Sequence, residues 1–223
     1  MTAVSLNVFR TTGDFMHLIA MLILLYRIRL TRSAAGVSLR TQELYVLVYA
    51  TRYLDVFWNF LSLYNTVFKI VFLAVSIMTV YLMRFRYAHT YDKEHDTFRV
   101  EFLIAPCLLL ALVWNLAFEF TEILWAFSIY LEAVAILPQL FLLQRTGEVE
   151  TMNSHYIACL GSYRVLYILN WVWRLYHEPG YRNWIAWVSG IVQSGLYADF
   201  FYYFFKSKWY GQKLKLPAFE NAT

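Results

Sequence analysis

Runs of about twenty apolar residues recur along the whole chain, and they narrow the possible folds more than any other feature. Lipid offers no partner for an open backbone, so a crossing segment is a helix of roughly 20 mostly apolar residues. Seven stretches qualify, at roughly 8–26, 37–58, 61–83, 98–116, 119–143, 154–176 and 183–205. The connections are short and leave no room for a soluble domain. Residues 1–223 therefore read as a single all-α membrane domain of seven transmembrane helices, with 206–223 as a tail. Composition agrees: 15% of residues are charged and 60% hydrophobic, where a soluble domain carries about 25% charged. Cys107 and Cys159 both fall inside apolar runs, which gives neither a disulfide framework nor a metal spacing. The first run has no small-residue cleavage site and is expected to be a retained helix.

Lysine and arginine set the orientation. The connections after spans 1, 3 and 5 with the span ends that adjoin them, together with the C-terminal segment, share a side and hold thirteen of them; the other side, counted the same way, holds only Arg10 and Arg182. That asymmetry places the N-terminus on the lumenal or extracellular side and the C-terminus in the cytosol. The net charge of +4 is then a topology signal that calls for no nucleic acid, and it also suits anionic lipid headgroups of the bilayer.

The polar residues inside the spans are the informative ones. Drawn at about 100° per residue, span 6 gathers Arg164, Trp171, Tyr167, Arg174, Tyr163 and Asn170 within about 120°, and the rest of the wheel is aliphatic or Trp173. Span 5 places Glu122, Trp125 and Glu132 within about 80°. Span 1 adds Arg10 and His17, and span 2 adds Arg52, Tyr53 and Asp55. At about 1.5 Å per residue, these groups collect in the lumenal half, as in a funnel closed toward the cytosol.

A charge at mid-span costs roughly 2.5–3.5 kcal/mol on insertion scales, so each needs a partner, water or a ligand. Self-pairing is one solution: Arg52 with Asp55, three residues apart, and Arg164 with Glu132. A ligand is the other. Arg10, Arg52 and Arg174 sit on three spans facing few acids at the same depth, which suits an anionic ligand held by forked bonds. Glu122 and Trp125 offer a cation site by charge and by π-face. His17 reads either as a packing residue or as a proton sensor, its reference pKa being near 6.5. Lys69 and Asp199 are read as reaching toward an interface. Pro138 in "AILPQLF" interrupts span 5 and makes a kink or a hinge.

Several segments together resemble one family. "FRTTGD" with His17, "TRYLD", "SLYNT", "TYDKEHDTFRVEFL", "EILW", "FSIYLEAVAILPQL", "YRVLYILNWVWR", "ADFFYYFF" and "KLKLPA" are similar to the KDEL/HDEL receptors, the receptors for the endoplasmic-reticulum retention signal. The likeness runs from Asn7 to Ala218. It implies two three-helix repeats joined by a linking helix, similar to SWEET and PQ-loop transporters, with "LPQL" as the PQ element and the site between the halves. By resemblance, Arg52 and Tyr53 take the C-terminal carboxylate of the signal. Arg10 and Trp171 meet its penultimate Glu, Arg174 meets its Asp, and Asp55, Glu122 and Trp125 meet its first residue; Tyr167 lines the same site. His17 resembles the pH-sensing histidine, linked to Tyr163, with Glu132 and Arg164 in the coupled network. No cofactor is implied beyond the proton as regulator. Asp199 matches an acid tied to retrieval, and Lys206, Lys208, Lys213 and Lys215 resemble a segment that binds the COPI coat. The implied partners are proteins ending in KDEL- or HDEL-type signals. The implied location is the endoplasmic reticulum and Golgi membranes.

Trp58 and Asn59 depart from the family pattern, as do the residues before Asn7 and the closing "FENAT", whose Asn221 begins an N-glycosylation pattern expected to be idle on the cytosolic side. The same architecture also suits a small-solute transporter, although a sugar site favours Asn and Trp over full charges. A G-protein-coupled receptor fits poorly with such short connections and no extracellular disulfide. No nucleophile–base pair suggests an enzyme.

Overall fold

A computed structural model describes residues 7–57, 62–147 and 149–216. Trp58 and Asn59, the first six residues and "FENAT" lie outside them. Every extended element among the described residues is helical: α1 (Val8–Thr31), α2 (Leu39–Arg52), α3 (Leu63–Tyr81), α4 (Glu101–Val113), α5 (Phe120–Val134), α6 (Leu137–Thr146), α7 (Thr151–His177), α8 (Trp184–Leu196) and α9 (Ala198–Trp209). Among the described residues three helical stretches are long and apolar enough to cross a membrane: Val8–Thr31, Leu63–Arg86 and Phe120–Thr146. The first and last of these overlap expected spans 1 and 5, and the middle one is span 3 extended by a π-turn over Leu82–Arg86.

Helix starts follow from capping. The side chains of Asn7, Ser38, Ser62 and Asn183 each accept a hydrogen bond from the backbone N–H three residues on, satisfying a donor that the first turn leaves open. Three of the expected spans are interrupted. The stretch 37–58 is not one helix: α2 stops at Arg52, and Leu54–Phe57 form a 3₁₀ turn. The stretch 119–143 is split before Pro138, as that residue predicts. The stretch 183–205 is split at Tyr197, which is fully buried and carries no sequence mark of a break.

The PQ element has a clear structural task. Pro138 enters the first turn of α6, where no backbone N–H is needed. Gln139 then ties α6 to the start of α2. Its backbone N–H donates to Thr41 Oγ1 (2.9 Å), its Oε1 accepts from the Ser38 N–H (2.8 Å), and its Nε2 donates to the Gly36 carbonyl (3.0 Å). Buried polar groups inside a membrane protein need such complete matching.

The most extensive packing is of α1 along α7, followed by α2 on α5. At one end of that pair Arg27 is 4% exposed. It donates to the Ser33 and Ala35 carbonyls and pairs with Glu150. One of the thirteen cations that mark orientation is thus a buried staple between α1 and α7. Beside it the chain after α9 folds back. The Val149 N–H donates to the Leu214 carbonyl (3.2 Å) and the Leu216 N–H to the Gly147 carbonyl (3.2 Å), with Leu214 and Leu216 buried. Gly147 permits the tight exit from α6, because its φ of 72° lies where a side chain is strained. Lys206 and Lys208 belong to the last turn of α9, so the expected tail begins within a helix.

Candidate functional site

At the opposite end of the bundle α1, α2, α3, α5, α7 and α8 surround an open cavity of about 270 Å³. It runs from Tyr181 and Asn183, in the α7–α8 connection, inward to Glu132. Eleven of the candidate ligand and coupling residues read from the sequence line it: Arg10, His17, Arg52, Tyr53, Trp125, Glu132, Tyr163, Arg164, Tyr167, Trp171 and Arg174. Asp55 and Glu122 do not. The polar faces gathered by the wheels do meet around one cavity, because one such face each of α1, α5 and α7 turns inward.

The charges pair differently from the sequence expectation. Arg164 pairs with Glu132 (2.8 Å), as the wheel suggests, but Arg52 also pairs with Glu132 (2.7 Å) and not with Asp55. The helix ends at Arg52, so the shared face that would join Arg52 to Asp55 does not exist; Asp55 pairs with Lys69 of α3 instead (2.7 Å). Lys69 is thus an interior residue. Arg174 pairs with Glu178 one turn on (2.6 Å) and lies over the Tyr181 ring (4.0 Å). The expectation of arginines short of acids therefore needs correcting: every one has a carboxylate nearby.

A deficit nevertheless remains. Arg10, Arg52, Lys69, Arg164 and Arg174 line the cavity, against the carboxylates of Asp14 and Glu132. Asp55 and Glu178 pair from outside the lining, which leaves the cations ahead by one. Two places carry the surplus. Arg52 and Arg164 share the single carboxylate of Glu132, which is 2% exposed. Arg10 is held at 3.9 Å from Asp14 and donates once to Asn65 (3.2 Å), while its Nη1 is buried with no hydrogen-bond partner. Asp14 is occupied by the hydroxyls of Tyr64 (2.9 Å) and Tyr167.

At the inner end, the His17 ring stacks on Tyr163 (4.0 Å between centroids, 3° between planes). Its Nε2 shares a hydrogen bond with the Tyr49 hydroxyl (2.7 Å). The Tyr163 hydroxyl donates to Glu132 (2.8 Å) and accepts from Arg164 (3.0 Å). His17 therefore reaches the Glu132 pair through a stacked ring, with no direct ion pair.

Sequence reasoning passed over Asp14, Tyr64, Asn65 and Phe68. Asp14 carries a legible signal, one helical turn from Arg10; the α3 residues do not, since their start was masked by the apolar run. Gly190 of α8 was also missed. A Cβ there would meet Trp171 Cζ3 at 2.5 Å, so glycine is what lets the indole seat against α8. Gly190→Ala is expected to displace Trp171 at about 1–3 kcal/mol of overpacking. It should shift the tryptophan emission and lower the melting temperature, whereas Gly195→Ala, with nothing within 4 Å of its Cβ, should do neither. Equal behaviour of the two variants would refute this seating.

Residues 33–174 match the family model described as ER lumen protein retaining receptor. An ER lumen protein-retaining receptor of Petunia hybrida is 56% identical over 96% of this chain and the whole of its own. The chain belongs to the ER lumen protein-retaining receptor family. The like-named protein of Drosophila melanogaster is 55% identical, and ER lumen protein-retaining receptor 2 of Homo sapiens 54%, each over 96% of this chain and all of its own length. The family is one of receptors and not of enzymes by these names, and this member carries its cavity at the end of the bundle opposite to Gln139. The remaining residues implied by the resemblance lie away from that cavity. Asp199 is exposed on the first turn of α9, beside a separate groove lined by Leu137, Phe200 and Leu216. Lys206, Lys208, Lys213 and Lys215 are exposed near the Arg27 end.

Proposed function

We propose that this chain binds the C-terminal KDEL- or HDEL-type signal of escaped endoplasmic-reticulum proteins in the acidic Golgi and returns them to the endoplasmic reticulum. The observation that carries the reading is the unsatisfied positive charge of the cavity, Arg10 Nη1 without an acceptor and two guanidiniums on one carboxylate. A short acidic chain end supplies the missing acceptors. Its terminal carboxylate goes to Arg52 and Tyr53, its penultimate Glu to Arg10 and Trp171, and its Asp to Arg174, which exchanges Glu178 for the ligand. Asp55 can meet the first residue of the signal only by leaving Lys69, and Glu122 only by moving toward the cavity, so this subsite forms on binding. A sugar transporter is disfavoured by the density of full charge.

In the same reading the nine helices of the described residues make seven crossings in two three-helix repeats, with the cavity facing the lumen. Lys206, Lys208, Lys213 and Lys215 then face the cytosol, where they engage the COPI coat, and Asp199 assists retrieval. The proton is the regulator. Protonated, His17 donates through Nε2 to Tyr49 and brings a positive charge beside Tyr163 and Glu132, favouring the loaded, closed arrangement. The sign follows: a ligand bound better by the protonated form binds more tightly as pH falls. A peptide ending in HDEL or KDEL, titrated against the purified protein from pH 5.5 to 7.5, should bind several-fold more tightly at the acid end, and His17→Ala should flatten that slope. Equal affinity across the range removes the proton switch; no binding at any pH removes the receptor reading.

A further inference from the structure

The end of the molecule that carries Arg27 has a second cavity, of about 460 Å³, which the peptide site does not use. It lies between the start of α2 and the turns that follow α3. Arg40, Arg84 and Lys93 line it, over an apolar floor of Leu39, Met83 and Ala88. Two acids are close, and both are engaged. Glu43 pairs with Arg84 (2.6 Å). Asp96 is 2% exposed and accepts from the Ser38 hydroxyl (2.9 Å), the Arg40 backbone N–H (3.3 Å) and the Tyr91 hydroxyl (2.6 Å). Burial first, then the bond to Asp96, pushes the Tyr91 phenol well above its usual range, so that bond holds at every physiological pH. These donors to Asp96 are all neutral. The Arg40 and Lys93 side chains make no hydrogen bond or ion pair to any described residue.

The surroundings say what kind of anion fits. Tyr81 and Phe85 stand 53% and 69% exposed at the end of the α3 stretch, and Ile77 is 51% exposed one turn earlier. Exposed aromatic rings at the end of an apolar span mark the level of lipid headgroups, and basic side chains at that level attract anionic lipid. An acidic peptide would have no use for the apolar floor or for the aliphatic face of α3.

We propose that this cavity holds the phosphate of an anionic phospholipid, with Arg40 and Lys93 as its ligands and the acyl chains lying along the exposed face of α3. The inference rests on the membrane reading of this end and is independent of the retention signal.

The test uses the full chain, purified in detergent, with binding of phosphatidylinositol 4-phosphate and of phosphatidylcholine followed by native mass spectrometry. The doubly substituted Arg40→Gln, Lys93→Gln protein should bind phosphatidylinositol 4-phosphate about tenfold or more weakly, from roughly one surface charge interaction lost per residue, with melting temperature and peptide affinity unchanged. Arg29→Gln with Arg32→Gln, the same charge change on the exposed end of α1, should stay within about twofold of the parent. An equal loss in this control would mean diffuse attraction and overturn the site, as would an unaltered affinity in the double variant. Soluble inositol phosphate binding as tightly as the lipid would overturn the lipid assignment in favour of a free phosphate. Displacement of the lipid by a soluble acidic peptide would overturn it in favour of a protein partner. Peptide affinity, read in the same samples at the other end of the bundle, separates a failure here from a failure of the receptor reading.

Discussion

Glu132→Gln is expected to lower the melting temperature of the purified protein by about 10 °C or more, or to prevent its recovery in folded form. Glu132 is 2% exposed and faces both Arg52 (2.7 Å) and Arg164 (2.8 Å). Glutamine keeps the shape and removes the charge, leaving two guanidiniums together in a poorly hydrated interior. Breaking a buried pair in this way costs about 3–5 kcal/mol, and each kcal/mol is worth about 2–4 °C in a chain of this size. The cause can be separated from lost packing. Adding Arg164→Met to Glu132→Gln removes one of the two stranded charges, so the double variant should recover part of the loss. A Glu132→Gln protein that melts with the parent would show that the cluster is not held by charge. A double variant less stable than both singles would assign the loss to packing.

Amidation of the peptide C-terminus should weaken its binding by at least tenfold. Arg52 spends Nε and Nη2 on the Ser128 hydroxyl and carbonyl (3.0 Å each) and Nη1 on Glu132. Each Nη carries a second N–H, and the side chain is 15% exposed on the cavity. A carboxylate can accept both of these remaining donors at once; a neutral amide gives up the charged bonds, worth about 1.5–3 kcal/mol, or about ten- to 150-fold. If Arg52 is the recipient, Arg52→Gln binds the free acid as weakly as the parent binds the amide, and amidation then makes no further difference, a coupling that a two-by-two cycle measures. Arg52→Gln should also be better tolerated than Glu132→Gln, since it leaves Glu132 paired with Arg164. Equal affinity of acid and amide for the parent would remove the Arg52 assignment. An Arg52→Gln protein still sensitive to amidation would move the carboxylate to another group.

Glu132 and Arg52 also show how much of this site is legible in a sequence. The polar wheel of α7 carries Tyr163, Arg164, Tyr167, Trp171 and Arg174, and with Arg10 and His17 of span 1, Arg52 and Tyr53 of span 2, and Trp125 and Glu132 of span 5 these make eleven residues legible in the sequence that line one cavity. The same wheels put Glu122 beside Trp125, yet only Trp125 reaches the lining, because an arc of about 80° spans the difference between a wall and the outside of a helix. Pro138 announced its break; Tyr197, a buried aromatic in an aromatic run, announced nothing.

By itself the sequence determined that this chain is helical and apolar enough for a membrane, which faces of its helices are polar, and in which half of the bundle the ionisable groups collect. These follow from residue type, a period of about 3.6 and a rise of about 1.5 Å, which are local quantities. Only the tertiary structure decided the partners. Whether Arg52 meets Asp55 or Glu132 turns on where α2 ends and how it is rotated against α5, and an ion pair forms within a few ångströms or not at all. Arg27 and Gln139 make the same point from the other end: each is an ordinary polar residue until the fold brings Glu150 or Ser38 to it.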